Sequence, residues 1–192
     1  MLFRSITLIS LSGINTQAGV EQYHNILQVG IYYGSCDDLY ICDGAGTDTN
    51  DFLGICRVIG LFPNSDTGTI QWTPSTGTTH YNLVDENPPD GDTSYVETST
   101  QAQTDLYGYP SLIGTGTILG LQVSTTVSLS AGSSIILESP IISNNITDLG
   151  PDYLITNATY YDKTHISTTD PNTGAAWTAA NLAAAQIGVK VM

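Results

Sequence analysis

The sequence predicts an all-β protein with an extended middle segment and one short C-terminal helix. Three observations predict it. Charged residues make up only 11% of the chain, under half of the roughly 25% usual in soluble domains. Thr, Gly, Val, Ile and Tyr are abundant, with 19 Gly and 11 Tyr among 192 residues, and this is the composition of pleated, half-buried surfaces. The apolar positions alternate in short runs separated by Gly, Pro, Asn and Asp, and a helical period appears only near the end of the chain.

The elements come in this order. Residues 2–11 (LFRSITLISL) have strand character and stop at the turn SGIN; a strand here is expected in preference to a signal peptide, since Thr7 and Ser10 break the apolar run. Residues 25–33 and 37–43 are two further strands, and GAGTDTND is a turn-forming loop. FLGICRVIGLFP (52–63) is a long apolar strand stopped by Pro63, NSDTG turns the chain, and TIQWT (69–73) is a short strand. These elements make up a first β part, residues 1–73. Residues 74–116 are dense in Pro, Asp and Gly and carry no regular period. They are expected to form an extended, Tyr-rich crossing segment, with Tyr95, Tyr107 and Tyr109 among its docking anchors. Residues 117–192 form a second β part. TILGLQVSTTVSLS (117–130) alternates well, SSIILESPIIS (133–143) is a strand interrupted by Pro140, and one further strand is expected near 152–161.

The closing stretch is DPNTGAAWTAANLAAAQIGVKVM. Asp170-Pro171 opens a turn with Gly174 at its exit. The Ala-rich run after it favours helix, with Trp177, Asn181, Ala184 and Ala185 near one face and Gly188 as a helix C-cap. VKVM then leaves as a terminal strand at a sheet edge. The whole is expected to act as a docking clip, with Pro171 in its turn and Trp177 as its plug.

The charge is one-sided. Four basic residues face 18 acidic ones, a net charge of −14. Arg4, Arg57, Lys163 and Lys190 are scattered, which excludes a phosphate-tracking groove for nucleic acid and disfavours an anionic membrane surface. No stretch reaches the roughly 20 apolar residues of a membrane span. Cys36, Cys42 and Cys56 give an odd count and no C-x-x-C pair, against a zinc ribbon and a closed disulfide framework; they are expected to be small, half-buried residues in strands, set against one disulfide, in which either of the first two pairs with Cys56, or an intermolecular bridge.

Catalytic signals are thin. His24, His80 and His165 are expected to be solvated or hydrogen-bonded structural residues, and no nucleophile elbow, H-E-x-x-H or phosphate loop is present. The chain is therefore expected not to be an enzyme and to need no cofactor. Asp37, Asp38 and Asp43 in CDDLYICD are candidate Ca²⁺ ligands, hard oxygen donors close together, set against a solvated loop whose carboxylates cap backbone N–H groups. DENPPDGD (85–92) is a second acidic segment. The tyrosines offer stacking surfaces for a host glycan, or else straddle core and solvent.

Several segments together resemble a family of tailed-bacteriophage virion proteins. The residues that carry this are Asp37-Asp38 with Tyr40, then Asn50, Phe52, Leu53 and Gly54 leading to Arg57-Val58, and finally Pro171, Thr173, Gly174, Trp177 and Thr178. The resemblance implies a concanavalin- or laminin-G-like jelly-roll sandwich, truncated at its N-terminus because only residues 1–36 precede Asp37. It implies a structural component of a virion. The chain is accordingly expected to be homo-oligomeric and in contact with other capsid or tail proteins, and the alternative, from its Tyr and Asp residues, is a glycan-binding tail adhesin.

Overall fold

A computed structural model describes residues 56–114, 116–132 and 134–192. The chain divides into two compact units, Met1–Ile59 and Gly60–Met192. The strands expected at 2–11, 25–33 and 37–43 lie outside the described residues, as do Cys36, Cys42 and His24.

The second unit is all-β. Eleven strands are antiparallel throughout: β1 Ser65–Ile70, β2 Thr73–Pro74, β3 Val96–Glu97, β4 Thr104–Gly108, β5 Leu121–Val127, β6 Ile135–Glu138, β7 Ile141–Ser143, β8 Ile146–Asp148, β9 Tyr153–Ile155, β10 Tyr161–Ser167 and β11 Gln186–Val191. The one α-helix among the described residues, α1, covers Ala179–Ala184, and a 3-10 turn covers Tyr81–Leu83. Seven strands make the main sheet, in the order β1-β4-β11-β6-β9, with β7 on β11 and β8 on β7. The second layer is a ribbon of β5 and β10, paired without interruption from Leu121↔Ser167 to Val127↔Tyr161.

The register explains the core. In β11, Ile187 lies opposite Tyr107 and Val189 opposite Asp105, while Val191 lies opposite Leu137. Period-two alternation therefore puts Asp105, Tyr107, Leu137, Ile187, Val189 and Val191 on one face of the main sheet. The ribbon covers that face. Leu121 and Val123 pack on a cluster of Ile141, Trp177, Leu182, Ala185 and Ile187. Val127 and Tyr161 pack on Leu129, Leu137, Ile155 and Val191.

Several elements differ from expectation for identifiable reasons. SDTG is not a turn but the first part of β1, held to β4 through Ser65↔Gly108 and Asp66↔Tyr107. Gln71 and Trp72 interrupt TIQWT because both backbone N–H groups turn to the Asp105 side chain. Residues 56–63 form no strand. The middle segment is not only a crossing: residues 104–108 form an inner strand of the sheet, with Asp105, Leu106 and Tyr107 buried. The single strand expected near 152–161 is replaced by β8, β9 and β10. Gly150 turns the chain between the first two at φ +70°, under the His165 ring.

Gly188 is not a helix cap. The helix ends at Ala185, and Gly188 sits within β11 opposite Leu106. A Cβ there would collide with the Asp105 carbonyl. Gly188→Ala is therefore expected to cost about 1–3 kcal/mol by overpacking, read as a lowered urea midpoint. Nor does the last strand lie at an edge: β11 runs between β4 on one side and β6 and β7 on the other.

Candidate functional site

The C-terminal clip is closed by one carboxylate. Asp170 is fully occluded. Its backbone carbonyl accepts from Thr173 N–H (3.2 Å) and Gly174 N–H (2.8 Å), which is the predicted turn. Its side chain accepts from Asn172 N–H (2.9 Å), Thr173 Oγ1 (3.2 Å) and Asn181 Nδ2 (2.6 Å), and also from Ser143. One residue thus ties the turn, the helix and the end of β7. Burial by itself raises an Asp pKa, but these donors outweigh it and hold Asp170 below the ordinary carboxyl value. A depressed carboxyl contributes stability above its unfolded pKa of about 3.9 and loses it as pH falls through the folded value. The stability gap between wild type and Asp170→Asn is therefore expected to be full at neutral pH and to close below about pH 4; paired denaturant titrations across that range check it.

Trp177 comes just after the turn and is 3% exposed, seated among Ile141, Leu182, Ala185 and Ile187. Its plug is intramolecular. Thr178 caps α1, its hydroxyl accepting from Asn181 N–H at 3.1 Å. The helix buries Leu182, with Ala185 at its C-cap; Ala184 is exposed, against the expected face. Pro171 is half-buried in the turn.

The sequence does not single out a second polar centre, which the fold assembles. Asp105, fully buried on β4, accepts from Gln71 N–H (2.6 Å) and Trp72 N–H (2.7 Å). His80 Nδ1 lies 2.6 Å from its other oxygen, and Tyr107 Oη donates to that oxygen at 3.2 Å. Asp66 accepts from the His80 and Tyr81 backbone N–H groups at 3.0 and 2.7 Å. Burial, then the Asp105 charge, push the Tyr107 phenol far above its ordinary value, and burial pushes Tyr109 up to about 12. Tyr107 thus belongs to the core, and Tyr109 is a half-buried residue packed against it. His165 is also buried, its ring nitrogens 2.8 Å from the Ser139 carbonyl and 3.1 Å from Asp148 Oδ2. Of the two settings expected for the histidines, solvated or hydrogen-bonded, His80 and His165 take the second.

The exposed chemistry lies elsewhere. Tyr95 and Tyr160 are 38% and 43% exposed. The Tyr160 hydroxyl donates to Asp92, and this raises its pKa, with Tyr95 close enough to add to the effect. Gly91 lies against the Tyr160 ring. Ser94 Oγ lies 2.9 Å from Glu86 Oε1 and 3.0 Å from the Asp90 carboxylate. Two aromatic faces beside three carboxylates can stack on a sugar ring and accept from its hydroxyls. Of the other tyrosines, Tyr153 and Tyr161 carry Lys163 over their rings, at 5.8 and 4.8 Å.

Two hollows mark the second unit. One, of about 390 Å³, lies on the outer face of the main sheet, bordered by Thr69, Thr104, Leu106, Ile142, Thr147 and Lys190. The other, of about 300 Å³, is polar and carries a single carboxylate, Glu97, beside Thr98, Thr100 and Gln103. Neither has the two facing carboxylates of a glycosidase. Among the described residues no group of three or more His, Cys, Asp or Glu is placed to hold a metal ion, and no helix is long and apolar enough to cross a membrane. Asp37, Asp38 and Asp43 lie outside the described residues. Among the described residues Cys56 has no disulfide partner; Cys36 and Cys42 lie outside them. Compared with family models, curated proteins and solved structures, the chain matches none of them.

Proposed function

We propose that the protein is a structural component of a tailed-phage virion, carried on the outside of the capsid or tail and holding neighbouring subunits together. The observation that carries this reading is the clip. Pro171, Thr173, Gly174, Trp177 and Thr178 are the C-terminal residues of the virion-protein resemblance, and they build one closed device around Asp170 that delivers β11 into the main sheet. A strand locked in this way suits a part that stays folded within a large particle. The family's jelly-roll sandwich belongs to the same reading, and the low Lys content and acidic surface suit a soluble particle exterior. The test is the copy number of the chain in purified virions, counted by mass spectrometry against the major capsid protein. Hundreds of copies support a shell or sheath component and a handful support a neck or tail part. Absence from the particle overturns the reading.

A second reading, a glycan-binding adhesin of the tail, is favoured by the exposed Tyr95–Tyr160 pair beside Asp92. Glycan-array binding that disappears in Tyr95→Ala and Tyr160→Ala, with folding intact, supports it. Binding to no glycan, or binding unchanged in both variants, removes it.

A further inference from the structure

His165 has an acceptor at each of its ring nitrogens. It is 2% exposed, on the inner face of β10. Nδ1 lies 2.8 Å from the Ser139 carbonyl, between β6 and β7, and Nε2 lies 3.1 Å from Asp148 Oδ2, at the end of β8. A carbonyl only accepts, so Nδ1 carries a hydrogen. A neutral ring would then turn a lone pair at Nε2 toward the carboxylate, and two acceptors repel. Turning the ring over gives no relief, because carbon would then face both oxygens. One further proton is needed between Nε2 and Asp148. The Asp148 side chain is 36% exposed, and its Oδ1 accepts from Gly150 N–H at 3.1 Å. A free imidazole binds a proton roughly four-hundredfold more tightly than a free aspartate, so the proton belongs on the ring.

We infer that His165 is an imidazolium at neutral pH, a buried cation that latches the β5–β10 ribbon to the main sheet and lets go as the pH rises. The latch spans both layers. β10 supplies the ring, while β8 and the β6–β7 junction supply the acceptors. Gly150 closes under the ring, where a Cβ would strike it. The groups around the ring leave the charge to Asp148. β5 sets Val123 opposite His165, and Thr125 meets the Ser139 hydroxyl at 3.0 Å. Glu138, beside Ser139, is paired with Lys190 at 3.0 Å. Asp152, in the turn between β8 and β9, is exposed. Lys163, on the same face of β10, is a like charge, and its ammonium rests over the Tyr153 and Tyr161 rings. When the ring gives up its second proton, Nε2 and the carboxylate meet lone pair to lone pair. The part-exposed turn from Asp148 to Gly150 then moves off the ring. The link therefore stabilises the fold from about pH 5 upward, where Asp148 is ionised, and that contribution is lost as the pH climbs through deprotonation of the folded ring.

The experiment is nitrogen-15 NMR of the histidine rings in the full chain, for wild type and Asp148→Asn, with the His165 ring assigned by through-bond correlation to its own backbone. At about pH 7.5 roughly nine-tenths of a free histidine is neutral. The wild-type His165 ring should instead show two protonated nitrogens. It should lose one only at higher pH, and the Gly150 amide signal should shift in the same titration. Asparagine at position 148 can donate as well as accept. Asp148→Asn should therefore leave the ring singly protonated, on Nδ1, at the same pH, with the fold kept. A contact that only filled space would not change the ring's charge between two folded proteins. Asp148 is part-exposed, so the variant should fold, and the wild-type spectrum decides the charge without it. A wild-type ring singly protonated at about pH 7.5 overturns the inference. So does a doubly protonated ring that folded Asp148→Asn leaves unchanged.

Discussion

Asp105→Ala is expected to be the most damaging single substitution in the second unit, costing about 3–5 kcal/mol. Against a typical total of about 5–15 kcal/mol, that is a large part of the protein's stability. The cost comes from the groups left behind. Two backbone N–H groups, the His80 ring and the Tyr107 hydroxyl all turn to this carboxylate, and each buried donor without a partner is penalised. The damage would spread. Gln71 and Trp72 bend out of the β1 line to reach Asp105, and Trp72 Nε1 donates to the Gln103 carbonyl beside it at 3.2 Å. Asp105→Asn keeps the size and one acceptor oxygen, and should fall between alanine and wild type. Urea unfolding followed by Trp fluorescence checks the order. An alanine variant within about 1 kcal/mol of wild type would show that water or a shifted loop can replace the carboxylate.

The second large effect is expected at Trp177. Trp177→Ala empties the slot between α1 and the main sheet and should cost about 3–5 kcal/mol. Trp177→Phe should cost clearly less. Among the described residues the indole N–H has no hydrogen-bond partner, so phenylalanine is expected to give up volume but no bond. Equal losses from the two variants would mean that the indole nitrogen is held after all. Calorimetric melting temperatures separate these outcomes.

These two residues also show what is legible in the sequence. Trp177 is readable because local rules agree around it: a turn fixed by Asp170-Pro171, an Ala-rich run, and one large apolar residue between them. β5 is readable for a similar reason, since Leu121, Val123, Thr125 and Val127 alternate with polar residues and the burial tracks that alternation. Asp105 is hidden. It stands in TQAQTDLYGYP, where polar residues on both faces cancel the period-two signal. Its burial depends on partners at residues 71, 72 and 80, which local spacing cannot bring together. Gly188 misleads for a related reason. Past an Ala-rich helix, a glycine suggests a cap, and its actual cause is the passage of another strand's backbone. The Tyr95–Tyr160 patch is half legible: both belong to the tyrosines that suggest stacking, but nothing local joins positions that far apart.

The place of β11 in the sheet has a consequence in time. β4 lies on one side of it, β6 and β7 on the other, and the ladder between them runs through β11. As the polypeptide emerges from the ribosome, β4 is made long before its neighbour, with β5 through β10 synthesised in between. Until that neighbour arrives, no strand among the described residues pairs one half of the sheet with the other, and their buried faces are expected to stay open to chaperones, proteases and one another. Long-range pairing of this kind slows folding. Maturation of the second unit is thus a late event, governed by the last segment to be synthesised within it.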